Sequence, residues 1–277
     1  MTFNIHEEYW DRPFSGNDRT DGIPHGVALF VTGVVAFLVQ ICFRLRKEGR
    51  EIVDAFKGKK CGAILVAPHY SYLDVVIMFL SVRPKGWVRL IARDSLFYAG
   101  NGLLGLIISS VGAFPIKRNT ADRTAMKRAA RMLKNGEWVG MFPEGTRRGK
   151  GSAKPSLHGG AALIARMGKA PIIPLGLQNV SRVKKKGERV RFPRITARFG
   201  RPIAVSSFDF LPKEERMDAC SWYVMREAYA LTYNCPACDV DMVDLFPDSK
   251  DYTAVFAEHP IEPVDPVSLP DYEPKES

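Results

Sequence analysis

The sequence predicts an α/β protein: a mostly parallel central sheet flanked by helices, preceded by an N-terminal membrane-binding helical segment. Three observations carry this expectation. From residue 63 onward, short apolar runs of strand length alternate with helix-length runs, the pattern of a parallel sheet. Stop signals such as Asn135-Gly136 and Gly168 fall between them. The segment Gly26–Phe43, GVALFVTGVVAFLVQICF, holds 18 residues without a charge and is followed by Arg44, Arg46, Lys47 and Arg50.

Residues 1–22 are polar and mixed and read as an exposed arm. Residues 23–58 are assigned to the membrane-binding segment. The apolar run starts too late, and lacks the small-residue cleavage site, for a signal peptide. At 18 residues it sits at the lower edge for a spanning helix, which needs about 20, so it reads as either a span or a helix embedded in one leaflet. The basic flank suits anionic headgroups on the cytoplasmic side. A buried core helix is the alternative.

Residues 59–245 form the expected α/β domain. Ala63–Ala67 is a strand, Leu73–Val82 a helix, Trp87–Ala92 a strand. Leu96–Ser110 is an apolar helix, and Gly112–Ile116 a short strand. Ala121–Lys134 is a basic amphipathic helix, Trp138–Phe142 a strand, and His158–Met167 a helix. Ile172–Leu177 and Ile195–Phe199 are further strands, and Arg216–Tyr233 is a late helix covering the sheet. Prolines and acids dominate residues 246–277, which read as a disordered tail.

The formal charge of +10 is unevenly spread. Residues 202–277 hold roughly 16 acids against roughly 5 bases, so the first 201 residues carry about +21. Such a body attracts phosphate, whether on nucleic acid, a membrane or a small molecule. The basic run Arg182–Arg201 has sparse aromatic interleaving, only Phe192 and Phe199, so it lacks the stacking platforms of a nucleic-acid binder. The 5 cysteines are scattered, which argues against a disulfide scaffold and for a reducing compartment. Cys235-Pro-Ala-Cys238 has the spacing of a redox or half-zinc pair, but one pair is a weak signal and reads as a loop. No metal site is expected.

In open α/β sheets, ligands bind beyond the carboxyl ends of the strands. Three such ends are rich in reactive groups: Pro68-His69 running to Asp74; Phe114-Pro115-Ile116-Lys117-Arg118; and Phe142-Pro143-Glu144-Gly145-Thr146-Arg147. On an ideal helix, residues five apart lie about 140° from each other and do not meet. With His69 in the turn before a helix and Asp74 in its first turn, the imidazole can fold back onto the carboxylate. The aspartate then fixes the ring tautomer and leaves the other nitrogen to take a proton. The bland reading is a histidine packing at a helix start. No G-x-S-x-G elbow occurs and no cysteine lies in these stretches. A base without an enzyme nucleophile must deprotonate a water or a substrate hydroxyl. Lys117, Arg118 and Arg147 have the chemistry of a phosphate clamp, and Gly145 permits close backbone approach.

HYSYLD resembles the H-x₄-D motif of the glycerophospholipid acyltransferases, GAFPIKR their second motif, FPEGTR their third, and Ala170-Pro171-Ile172-Ile173-Pro174 their fourth. All four occur in family order across about residues 61–177. The chain is most similar to the bacterial 1-acyl-glycerol-3-phosphate acyltransferases. The resemblance implies that His69 deprotonates the sn-2 hydroxyl of lysophosphatidate, which attacks the thioester of acyl-carrier protein or acyl-CoA, giving phosphatidic acid. It implies that Asp74 orients His69, and that Lys117, Arg118, Glu144, Gly145, Thr146 and Arg147 hold the glycerol phosphate. No cofactor is implied; the acyl carrier is a co-substrate. The implied setting is the cytoplasmic face of the cell membrane, with an anionic membrane surface as partner and no nucleic acid. Within the family, glycerol-3-phosphate or another lysophospholipid is the alternative acceptor; a non-catalytic basic binding protein is the remote one. Two features depart from the pattern. Leu157-His158-Gly159-Gly160 stands where many members carry a basic residue, and the CPAC pair and acidic tail have no counterpart.

Overall fold

The computed structural model describes residues 7–13, 25–56, 58–84, 86–99, 102–117, 122–148, 154–184 and 187–269. Helix α1 (Glu7–Asp11) and the long apolar helix α2 (His25–Phe43) precede strand β1 (Arg46–Glu48) and helix α3 (Arg50–Ala55). The alternation then begins. It runs through β2 (Ile64–Val66), α4 (Tyr72–Val82), β3 (Val88–Arg93), α5 (Ser95–Tyr98), α6 (Leu103–Ser110), β4 (Phe114–Ile116), α7 (Arg123–Lys134) and β5 (Trp138–Met141). It closes with α8 (Gly160–Gly168), β6 (Ile172–Gln178), β7 (Thr196–Phe199) and α9 (Arg216–Tyr233), followed by α10 (Met242–Leu245) and α11 (Thr253–Glu258).

Among the described residues, seven strands form one sheet in the order β1-β7-β6-β2-β5-β3-β4. Strands β6, β2, β5, β3 and β4 run parallel to one another. Strand β2 is apolar throughout, with Ile64, Leu65 and Val66 wholly buried, because helices cover both faces of a parallel sheet. Strand β7 pairs antiparallel to β6, and β1 runs parallel to β7. The start of β1 therefore lies at the same edge as the carboxyl ends of the parallel strands. Helix α9 lies on β6, and Gly176 permits that contact: a Cβ there would stand 2.5 Å from Leu231.

The expected α/β class and mostly parallel sheet are present. Three expectations about the flanks are corrected. The N-terminal arm is not simply exposed. Trp10 is buried, its indole donates to Ser109 Oγ at 2.9 Å, and the buried Arg89 donates to the carbonyls of Trp10 (2.8 Å) and Arg12 (2.9 Å). A five-residue helix has too few periods to advertise such an anchor. The stretch after α2, expected to be helical to residue 58, contains a strand. Arg46–Glu48 joins the sheet, and Lys47 Nζ and Arg50 Nη1 both donate to the Arg83 carbonyl, at 2.8 and 3.0 Å. Burial, with Arg50 and Arg83 nearby, lowers the Lys47 pKa to about 8. Two of the four flanking cations are thus used inside the fold.

The third correction concerns the tail. Residues 246–269 are packed rather than disordered; 270–277 lie outside the described residues. Phe246, Tyr252 and Phe256 are buried, and the Phe256 ring meets those of Phe208, Trp222, Tyr223 and Tyr252. Prolines and acids mark the exposed positions of this segment, while three aromatics supply its core contacts. Among the described residues no helix is long and apolar enough to cross a membrane. The 19 residues of α2 extend about 28 Å, just under the ~30 Å hydrocarbon core.

The Phe256→Ala protein should be destabilised by about 3–5 kcal/mol, the usual cost of emptying a buried aromatic site. Urea unfolding monitored by circular dichroism measures this; a shift within about 0.5 kcal/mol would restore the disordered tail.

Candidate active site

The H-x₄-D spacing has a local cause. Helix α4 begins with a capping box: Ser71 is the N-cap, its Oγ accepts from the Leu73 amide at 3.1 Å, and Asp74 at the third helical position reaches back. Asp74 Oδ2 accepts from the Ser71 amide at 2.6 Å and from the Tyr70 amide at 2.5 Å. The same oxygen bonds His69 Nδ1 at 3.1 Å. His69 sits two residues before the cap, so the ring folds back over the helix start, as the sequence spacing required. Asp74 is fully buried and His69 nearly so. With Nδ1 held by the carboxylate, Nε2 is the nitrogen left for a substrate proton.

His69 is gripped from two further directions. Phe142, at the end of neighbouring strand β5, stacks on the imidazole with centroids 4.3 Å apart and planes at 23°. Glu144, in the turn after β5, accepts from the His69 amide through Oε2 at 3.1 Å. The His69 carbonyl accepts from the Arg148 amide at 2.7 Å. The turn requires glycine at 145, where φ is +62°.

Glu144 corrects one assignment. It is fully buried, and Oε1 accepts from Arg148 Nε (2.8 Å) and from the Tyr229 hydroxyl. A carboxylate committed to three inward donors does not face a glycerol phosphate; it braces the loop that carries His69. Arg148 also donates to the Leu245 carbonyl at 3.0 Å and stacks on Phe246 at 4.6 Å, tying the loop to the C-terminal segment. Burial and the Glu144 carboxylate push the Tyr229 phenol well above its ordinary range, so it stays a donor. Arg148 and Tyr229 were missed from sequence. Arg148 adjoins FPEGTR and was visible there; Tyr229 lies 85 residues from its partner, with no signal to find it.

Arg147 and Thr146 stand at the opening. The Arg147 guanidinium lies 3.9 Å above the Tyr72 ring, on the first turn of α4. Thr146 is exposed, and exposed His158 lies beside Gly145, so the departure LHGG faces the site. Lys117 is exposed at the same edge of the sheet, but β4 is three strand spacings from β2, about 14 Å at 4.8 Å each. Its amide donates to Asp122 Oδ2 at 2.9 Å. Arg118 lies outside the described residues. The fourth motif enters β6, where Pro174 is in register with Val66 of the strand that leads to His69.

A histidine–aspartate pair beyond a parallel strand, with an FPEGTR turn on the next strand, defines the H-x₄-D acyltransferase class. A family model described as Acyltransferase matches residues 44–178. A 1-acyl-sn-glycerol-3-phosphate acyltransferase of Bacillus subtilis is 32% identical over 158 residues, covering 57% of this chain and 75% of that protein. One of Streptococcus pneumoniae is 35% identical over 144 residues, covering 52% of this chain and 50% of that protein. The crystal structure of the 1-acyl-sn-glycerophosphate acyltransferase of Thermotoga maritima shares the fold, with a TM-score of 0.56 and 21% identity over 79% of this chain and 84% of that one. The chain belongs to the 1-acyl-glycerol-3-phosphate acyltransferase family and is an acyl-transferring enzyme.

Because Glu144 acts through the His69 backbone, Glu144→Gln and Tyr229→Phe should lower kcat several-fold while acceptor KM stays within about twofold. Losing one bond to a buried carboxylate should also cost about 1–3 kcal/mol of stability. Steady-state kinetics decide the assignment: a raised acceptor KM at unchanged kcat would return Glu144 to the substrate site.

Proposed function

We propose that the protein transfers a fatty acyl group to the sn-2 hydroxyl of 1-acyl-glycerol-3-phosphate, forming phosphatidic acid, with acyl-carrier protein or acyl-CoA as donor. The observation that carries this reading is the His69–Asp74 bond at the open edge of the sheet, with Arg147 beside it. His69 Nε2 removes the hydroxyl proton as the oxygen attacks the thioester carbonyl carbon. The tetrahedral intermediate collapses, the C–S bond breaks, and the imidazolium returns the proton to the departing thiolate. Asp74 keeps the ring in the accepting tautomer and stabilises the imidazolium. Arg147, lying over Tyr72, has the fork geometry to take the acceptor phosphate, and exposed Lys117 adds positive charge at the same edge of the sheet.

The reading places the enzyme at the cytoplasmic membrane face. Helix α2 leaves β1 at the site edge and packs on α6 toward the opposite side of the sheet. Phe30, Phe37 and Ile41 of α2 are 74, 65 and 61% exposed, and Leu103, Leu104, Leu106 and Ile107 of α6 are exposed as well. An apolar surface of this kind beside a site for amphiphiles supports membrane contact. The acceptor assignment within the family, against glycerol-3-phosphate, is decided by incubating the detergent-purified protein with each acceptor and each donor and identifying products by mass spectrometry.

His69→Ala should lower kcat by about 10²–10⁴, the usual cost of a lost general base, with Asp74→Asn severely impaired for want of the correct tautomer. Near-wild-type turnover in His69→Ala would end the proposal.

Arg147→Ala should raise KM for the phosphorylated acceptor roughly ten- to a hundredfold, the worth of a charge-assisted bond, with little change for the donor. Arg147→Lys should rescue only partly. An unchanged acceptor KM in Arg147→Ala would remove this residue from the clamp.

A further inference from the structure

We propose that the described residues of the connection between β6 and β7, 179–184 and 187–195, form a headgroup-binding element that docks on an anionic lipid surface beside α2. This rests on the membrane-facing reading above and adds a second, electrostatic contact to it. Strand β6 runs parallel to β2, so the connection leaves the sheet at the edge where His69 stands. It returns antiparallel as β7, and its base is tied to the end of α2. The Ile195 amide donates to the Phe43 carbonyl at 3.0 Å, Arg44 donates to the Phe192 carbonyl at 3.4 Å, and the Phe43 and Phe192 rings lie 5.6 Å apart. The Arg191 amide closes the connection on the Val183 carbonyl at 2.8 Å.

Its exposed side chains are cations and apolar groups together. Arg182, Lys184, Arg189, Arg191 and Arg194 are exposed; Glu188, the acid described among them, pairs with Arg191 at 2.8 Å. Between the cations stand Val190 and Phe192, the latter 56% exposed. Lys185 and Lys186 lie outside the described residues.

The mixture selects the partner. An acidic protein would match the cations but leave the adjoining apolar face of α2 in water. A nucleic acid would want stacking platforms, and one aromatic is too few. A lipid surface takes both: phosphates meet the guanidinium groups, and Phe192 enters the interfacial layer where α2 already presents Phe37 and Ile41. The connection thereby fixes the depth and tilt of the site edge against the bilayer.

Sedimentation of the full-length protein with phosphatidylcholine vesicles, with and without about 30% phosphatidylglycerol, tests this. The wild type should bind the anionic vesicles at least about tenfold more tightly, an increment abolished by high salt. The combined R182Q, R189Q and R194Q substitutions should remove most of that increment, leave binding to neutral vesicles unchanged, and leave turnover on detergent-dispersed substrate unchanged. The matching Arg→Lys triple should keep the increment, and so separates charge from misfolding. Phe192→Ser should weaken binding to both vesicle types. An anionic increment retained by the glutamine triple overturns the proposal. A retained increment with a raised KM for an acyl-carrier-protein donor would also overturn it, and would assign the connection to an acidic carrier. Vesicle binding is read without turnover, so a failure of the wild type to acylate lysophosphatidate would sink the proposed reaction while leaving this result independent.

Discussion

One carboxylate oxygen, Asp74 Oδ2, takes three hydrogen bonds: from the amides of Tyr70 and Ser71 and from the ring of His69. The first two complete a helix cap and the third holds the imidazole of His69. The capping of α4 and the orientation of the His69 ring therefore share one atom. A helix start needs partners for its free amide groups, and here the partner lies within reach of the residue that needs orienting. The H-x₄-D spacing is the distance along the chain from two residues before a cap to the third residue of its helix. Everything else at the site braces this arrangement. Phe142 limits ring tilt, Glu144 and the Arg148 amide hold the His69 backbone, and Tyr229 and Arg148 hold Glu144.

The second constraint is the reversal at one edge of the sheet. Five strands run one way, and β7 and β1 run the other. Without that reversal, α2 would enter the sheet at the end remote from His69. With it, the apolar helix arrives at the site edge. The basic β6–β7 connection leaves the sheet at that edge as well. A site for an amphiphile needs polar chemistry and apolar cover on one side of the molecule, and strand direction supplies both together.

The inward commitment of Glu144 shows how a motif divides its labour. In FPEGTR, Phe142 and Glu144 face the base, Gly145 makes the turn, and Thr146 and Arg147 face the opening. A run of six residues therefore carries two functions on opposite sides. The C-terminal segment joins the inner side through the Leu245 carbonyl and Phe246 on Arg148, which is why a stretch rich in proline and acid is nonetheless packed.

Most of the strand and helix rhythm from Ala63 to Tyr233 and the His69–Asp74 pairing were legible because each is local, whereas the helix expected over Leu96–Ser110 is two helices, α5 and α6. Hydrophobic period, capping and backbone handedness act within a few residues. Strand β1 was not, because three charged residues of an edge strand carry no apolar alternation. Nor was the anchoring of Trp10 on Arg89 and Ser109, or of Phe256 among four aromatic rings, since single side chains have no period. The sequence by itself determined the fold class, the family and the chemistry of the strand ends. Tertiary structure alone decided that Glu144 faces inward to Tyr229, that Lys117 stands three strands from the base, and that α2 lies at the site edge. Those outcomes depend on strand order and direction, which are set by pairing energies between segments far apart in the chain, and no local pattern records them.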